Sequence, residues 1–230
     1  MGLRGFTLIE LLVVIAIIGI LLAMMAPTVG KMHERVNLDV CAGNLRQLGN
    51  AHLTYAADNG GRFCNRSRWV LSTSEWPHDW HDVARQLVVR GDLFPYVRRP
   101  ECYLCPTFLR VYKPPACGCA DTVPIFSYAM NYNISTAARE DGWKEQGLEK
   151  VSQVSEPGNM LLLTEENTWL ISGRASCGIN NGLFVPPSDA MGSYHLPPSG
   201  QTNLGLAHVL FVDGHVQLHH WSEGRTLCRQ

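Results

Sequence analysis

The sequence predicts an α+β chain in which a long N-terminal helix packs on a C-terminal antiparallel β-sheet with long loops. Three observations carry this expectation. An apolar run at 6–25 passes without a break into an amphipathic pattern, a glycine-rich stop follows at 58–61, and two alternating segments flank Asp213-Gly214 near the C-terminus. The 230 residues suffice for one membrane segment and one domain with its own core. Nineteen Lys and Arg against 20 Asp and Glu leave a net charge of −1. No basic excess points to a nucleic-acid partner, and none is expected.

The first element is the apolar run. Its twenty residues hold one charge, Glu10, and thirteen Leu, Ile, Val or Phe. As a helix it would be about 30 Å long, the thickness of a bilayer's hydrocarbon core. Those thirteen side chains favour insertion by roughly 4 to 8 kcal/mol, whereas a mid-membrane acid costs about 2.5 to 3.5. The run therefore inserts with its carboxylate. A secretory signal peptide fits less well, since its apolar region spans about 7–15 residues and ends in a small-residue cleavage site. Here the run is longer, and Ala23-Met24-Met25-Ala26-Pro27 makes a poor one. Flanking charge says little about orientation, with Arg4 on one side and Lys31 and Arg35 on the other.

The helical pattern then continues. Val29, Met32, Val36, Val40, Leu45, Leu48, Ala51 and Tyr55 recur at threes, fours and one five, leaving Lys31, Glu34, Arg35, Asp39 and Arg46 for the other side. Asp58-Asn59-Gly60-Gly61 stops the helix.

Within the run, Gly5-Phe6-Thr7-Leu8-Ile9-Glu10 resembles the leader motif of type IV pilins and type II secretion pseudopilins. The resemblance implies a pilin-like fold and a division into a leader at 1–5, a transmembrane helix at 6–26, an amphipathic extension at 27–58 and a globular head at 59–230. It implies cleavage by a prepilin peptidase between Gly5 and Phe6 and N-methylation of Phe6. It also implies Glu10 as the assembly residue, neutralising the new amine of a neighbouring subunit and fixing its register. The expected setting is the bacterial inner membrane, crossed once, with the head in the periplasm and a periplasmic or extracellular fibre after assembly. The expected partners are the peptidase, other pilin or pseudopilin subunits and inner-membrane lipid. Pro27 stands where pilins commonly carry a helix-bending proline. The stretches Cys41–Gly49, Tyr55–Arg62, Cys105-Pro106, 127–132 and 211–215 resemble large pilin-like proteins with a C-terminal His, nine residues, Asp-Gly motif. Ten residues before Asp213, however, stands Asn203 rather than the histidine.

In the head, 69–80 is aromatic and polar and reads as loop. A short helix is expected within 80–97, using Val83, Leu87 and Val88 and ending at Gly91 and Pro95. Strands are expected at 125–131 and 160–164, and surface loops at 134–150 and 172–204. Asp213-Gly214 signals a two-residue hairpin turn joining 207–212 to 215–221. That turn pairs Val212 with His215, Leu210 with Gln217 and His208 with His219. Alternation then puts Val209, Phe211, Val216 and Leu218 on a core face against the helix, and His208, His215, Gln217 and His219 on the other.

Eight cysteines suit an exported protein, where disulfides persist, but allow 105 full pairings. Cys102, Cys105, Cys117 and Cys119 are candidates for disulfides or for a structural zinc site, though the second pair has one intervening residue rather than the usual spacing. His208, His215 and His219 form a weaker metal candidate, and Asp189, Asp213 and Glu165-Glu166 offer oxygens to calcium without an ordered array. No nucleophile elbow, phosphate loop, zinc-protease helix or paired-carboxylate spacing is present, so neither catalysis nor a required cofactor is expected. The expected role is a structural subunit of a type IV pilus or secretion pseudopilus. The alternative is a membrane-anchored envelope binding protein that never polymerises.

Overall fold

A computed structural model describes residues 7–70, 88–111, 126–135, 147–167, 182–185, 189–198, 201 and 204–228. The chain falls into two compact units, Met1–Asn37 and Leu38–Gln230. Helix α1, Leu8–Asp58, contributes to both. Its start is fixed locally. Thr7 Oγ1 lies 3.4 Å from the Glu10 backbone N–H, and the Thr7 backbone N–H donates back to Glu10 Oε2 at 2.9 Å. These reciprocal contacts are those of a capping box. In the first unit every described side chain from Thr7 to Met24 is exposed. Among the described residues no helix is long and apolar enough to cross a membrane. The described side chains of this run stop at Met24, short of the end of the expected span at 26.

The second unit begins on the same helix, where its pattern changes. Cys41, Ala42, Leu45, Leu48, Ala51 and Ala56 are buried, whereas Met32, Val36 and Val40 are exposed. The stripe expected from Val29 onward thus begins to be covered only at Cys41, because the head's own core reaches the helix no earlier. Val29's side chain lies outside the described ones. The helix ends as expected. Gly61 N–H donates to Ala56 O at 2.7 Å, and Gly60 and Gly61 take φ of 65° and 77°, where a side chain would be strained.

Five strands form one mixed sheet in the order β3-β1-β2-β4-β5. They are β1 Tyr128–Asn131, β2 Leu161–Glu165, β3 Leu183–Phe184, β4 Leu206–Phe211 and β5 Val216–His220. The sequence expectation of strands at 125–131 and 160–164 holds within a few residues. An all-antiparallel sheet does not, because β3 runs parallel to β1, pairing Leu183 with Met130. Strand β3 falls inside 172–204, read as surface loop, as does the buried run Met191–His195. Both are held by long-range pairing that local composition does not encode. Residues 88 and 89 are helical and the helix stops before Gly91, whose N–H donates to Val88 O at 3.1 Å, as expected. A separate short helix, Phe94–Val97, follows and carries Pro95 in its first turn, so this proline opens a second helix rather than ending the first. Val83 and Leu87 lie outside the described residues.

The hairpin is real, but its register is one residue from the expected one. His208 faces Leu218, Val209 faces Gln217 and Leu210 faces Val216. The turn holds three residues, 212–214, closed by Gly214 N–H to Phe211 O at 2.9 Å, with Gly214 at φ 92°. A two-residue turn would need positive φ at Asp213 as well, and only the glycine supplies it. The slip moves each β5 side chain to the other face relative to β4. The core assignment changes with it. Leu210 and Val212 join α1's Leu45 and Leu48 with Tyr128, Met130 and Leu163. Ala207, Val209 and Phe211 pack on the opposite face with Ala129, Leu161, Phe184, Met191 and Cys228. Both faces of β4 are covered, so His208 lies 3% exposed on the helix side instead of on a polar face. Each fully buried Leu or Met here contributes about 1.5 to 3 kcal/mol.

One helix residue resists this burial. His52 is buried with neither ring nitrogen bonded, and burial alone pulls its pKa down to about 3. A depressed folded pKa confers stability present above the unfolded value near 6.5 and lost as pH falls towards 3, because only the unfolded chain accepts the proton. A His52→Leu variant is expected to be more acid-tolerant. Its urea midpoint between pH 6.5 and 4.5 should fall less steeply than wild type, by up to about 1.4 kcal/mol per pH unit. Equal slopes would show that His52 does not titrate with unfolding.

Candidate functional site

Among the described residues, two places concentrate chemistry. The first is the N-terminus. Glu10 Oε2 accepts both the Thr7 backbone N–H and, at 2.7 Å, the Thr7 hydroxyl. The carboxylate therefore closes the first turn of its own helix, a local role that the sequence reading of an assembly residue did not include. Gly5 and Phe6 lie outside the described residues.

The second lies under the helix in the head. Four segments bring one side chain each to a single buried point. Helix α1 supplies Cys41, the turn before helix Pro106–Val111 supplies Cys105, β2 ends in Glu165, and the segment after β3 supplies His195. Their donor atoms lie within 4.8 Å of one another, and all four residues are buried. Cys41 and Cys105 are joined as a disulfide. His195 Nε2 lies 2.7 Å from Glu165 Oε1 and 3.5 Å from Cys105 Sγ. An ionised carboxylate only accepts, so this pair places the ring proton on Nε2. The His208 backbone N–H donates to Glu165 Oε2 at 2.8 Å, and His208 Nδ1 stands 3.6 Å from the same oxygen.

Local pairing explains the convergence. Glu165 ends β2, and there Gly192 N–H donates to Glu165 O at 2.6 Å. At Gly192 a Cβ would meet Glu165 Cβ at 3.0 Å, so a glycine lets the segment approach. Three residues on, His195 and Leu206 exchange backbone bonds of 3.2 and 2.7 Å, which aims the imidazole at the carboxylate. Cys105 is held by its N–H to Ser127 Oγ at 2.8 Å. Burial raises the Glu165 pKa, but the His195 and His208 contacts outweigh it and bring the carboxyl down to about 2.

The expected cysteine set divides. Cys105 bonds to Cys41, not to Cys102, and Cys102 donates its thiol to Gln47 Oε1 at 3.1 Å. Cys64, Cys102 and Cys228 are buried thiols. Burial pushes the Cys228 thiol up to about 12 and those of Cys64 and Cys102 upward as well. Cys117, Cys119 and Asn203 lie outside the described residues. The expected histidine trio is not brought together. His208 joins Glu165, His215 pairs with Asp213 at 2.6 Å and stacks on Phe211, and His219 pairs with Glu223 at 2.9 Å. Two opposite faces of the hairpin hold them, as the slipped register requires. Of the calcium candidates, Asp213 is engaged by His215, and Asp189 Oδ2 accepts the Val185 N–H. Burial and Asp189 together raise the Glu166 carboxyl. Sequence reasoning missed Cys41 as a partner, Glu165 as an ion-pair member and His195 altogether. The last sits in a stretch without periodicity, and only its long-range bridge to Leu206 reveals it.

A depressed carboxyl pKa confers stability present above about 4.5 and lost as pH falls towards 2. Glu165→Gln is expected to cost about 3 to 5 kcal/mol at neutral pH, as for one partner lost from a buried pair. It should also flatten the stability profile between pH 4.5 and 2. Chemical denaturation across that range checks both, and an unchanged profile would contradict the pairing.

The prokaryotic N-terminal methylation motif matches residues 3–26. A ComG operon protein 3 homolog from Bacillus licheniformis is 36% identical over 64 residues, which is 28% of this chain and 66% of that protein. The chain thus spans just under two thirds of that relative's length. No solved structure matches. The methylation motif at the N-terminus, the Bacillus relative, and an α1 followed by a mixed sheet together support a type IV pilin- or pseudopilin-like protein.

Proposed function

We propose that this chain is matured by prepilin peptidase, anchored once in the inner membrane by 6–26, and assembled with other pilin-like subunits into a type IV pilus or a secretion pseudopilus. The observation that carries the reading is the motif Gly5-Phe6-Thr7-Leu8-Ile9-Glu10 within the matched segment 3–26. Cutting after Gly5 turns Phe6 into a charged terminus four residues from Glu10, on the same helix face. A neighbour's Glu10 then cancels that amine in the apolar fibre core, where an unpaired charge costs several kcal/mol. The exposed apolar side chains from Leu8 to Met24 support the reading, since they offer the surface that lipid or adjacent helices would cover. The head stands in the periplasm and serves assembly rather than catalysis, with no cofactor required for that role.

The capping box makes Glu10 a sharp test. Glutamine also closes such a box, so Glu10→Gln keeps the helix start while removing the charge. Mass spectrometry of the mature chain is expected to find Phe6 first and carrying one added methyl group. Glu10→Gln should be cleaved and inserted normally but fail to enter fibres sheared from cells. A variant that assembles as wild type would reduce Glu10 to a helix cap. An uncut N-terminus would favour an anchored binding protein instead.

A further inference from the structure

We propose that Cys41, Cys105, His195 and Glu165 form a redox-gated zinc site, closed as a disulfide when oxidised and open to one Zn2+ when the two thiols are reduced. A disulfide needs no ionisable neighbours. Yet here a carboxylate and an imidazole, both buried, are brought to within 4.8 Å of both sulfur atoms by two segments separate from those that carry the cysteines. Removing a carboxylate and its partner from water costs several kcal/mol per ion, which packing alone gives no reason to spend. The donors are two sulfurs, one imidazole nitrogen and one carboxylate oxygen, a set that zinc accepts in a tetrahedral shell and that calcium or magnesium does not.

The spacing suits that shell. Zinc bonds of about 2.0 to 2.3 Å place tetrahedral ligand atoms roughly 3.3 to 3.8 Å apart. Cys105 Sγ and His195 Nε2 already stand 3.5 Å apart. The His195–Glu165 pair, at 2.7 Å, has only to open by about half an ångström, and the sulfurs to separate once their bond is broken. The outer contacts are also in place. Glu165 Oε2 takes the His208 backbone N–H, as zinc-bound carboxylates are commonly held by second hydrogen bonds. An independent observation points the same way. His208 Nδ1 is buried without a hydrogen-bond partner and faces Glu165 Oε2, placing a basic group beside a site that would carry a net negative charge.

The chemistry balances. A phosphine or dithiol gives two electrons to the Cys41–Cys105 bond. The two sulfurs take up two protons, and the reductant ends as phosphine oxide, its oxygen drawn from water, or as its own disulfide. Zinc then displaces both thiol protons. It binds His195 at Nε2 with the ring proton moved to Nδ1, and takes Glu165 as its fourth ligand. Zinc and the disulfide are alternative states of the same four side chains.

Alkylation mapping of the full chain in detergent tests this without any variant. The phosphine-reduced protein is treated with iodoacetamide with and without zinc, and each cysteine is read by mass spectrometry. Zinc is expected to protect Cys41 and Cys105 together, and the unreduced protein to bind no zinc at this site. In His195→Ala the protection of Cys41 should disappear at a zinc concentration that fully protects wild type, and His195→Cys should restore it. Equal labelling of Cys41 with and without zinc would overturn the proposal. So would protection of Cys105 alongside Cys102, Cys117 or Cys119 but not Cys41, which would assign the metal to a different thiol set. The wild-type comparison decides the question even if His195→Ala fails to fold.

Discussion

The head depends on one face of one helix. From Cys41 to Ala56, α1 lays small and branched side chains on the sheet, and Leu45 and Leu48 share one buried cluster with Met130, Leu163 and Leu210. The fit is close enough that a Cβ on Gly49 would fall 2.8 Å from Leu210 Cδ1. Hydrophobic contact is non-directional, and a helix on a sheet is free to rotate or slide unless something fixes it. The Cys41–Cys105 bond supplies that direction, tying the first buried turn of the helix to the loop that precedes the 106–111 helix, across a sequence separation of 64 residues. A cross-link closing so long a loop removes about 4 kcal/mol of chain entropy from the unfolded state in the simplest model.

Around that tie the interior is polar where it need not be. Glu165, His195 and His208 occupy the helix-side face of the sheet, next to the disulfide. Such groups persist in a core only when each is answered by another. Here His195, the His208 backbone N–H and the His208 ring, its Nδ1 3.6 Å away, answer Glu165, although that Nδ1 makes no hydrogen bond. His52 and Tyr103 also carry buried polar atoms without partners. The head accordingly combines an apolar scaffold with a buried, acid-sensitive node. The N-terminal unit differs: among its described residues one capping box is followed by exposed, mostly apolar side chains from Leu8 to Met24.

Much of this was legible in residues whose signals are local. Asp58-Asn59-Gly60-Gly61 ends α1, because only glycine takes the left-handed turn at no cost. The strands at 128–131 and 161–165 follow from short runs of apolar and aromatic residues. The leader motif announced itself through residue type and order alone. What failed was set at a distance. The hairpin's register depends on whether Asp213 shares the left-handed conformation with Gly214, and that single dihedral reassigns every β5 side chain. Strand β3 and His195 exist through pairing with β1 and β4, and nothing in 183–184 or 191–195 alternates strongly enough to declare it. Cys105 illustrates the same limit. Its neighbour in sequence is Cys102, but its bonded partner is a helix residue 64 positions earlier.

The helix-to-loop tie can be read directly by peptide mapping of the chelated, air-oxidised full chain without reductant. The account requires one cross-linked peptide pair containing Cys41 and Cys105, with Cys102 unlinked to either. A bond from Cys105 to Cys102, Cys117 or Cys119, or the recovery of Cys41 and Cys105 as two unlinked thiols, would contradict it and leave the helix with no covalent register on the head.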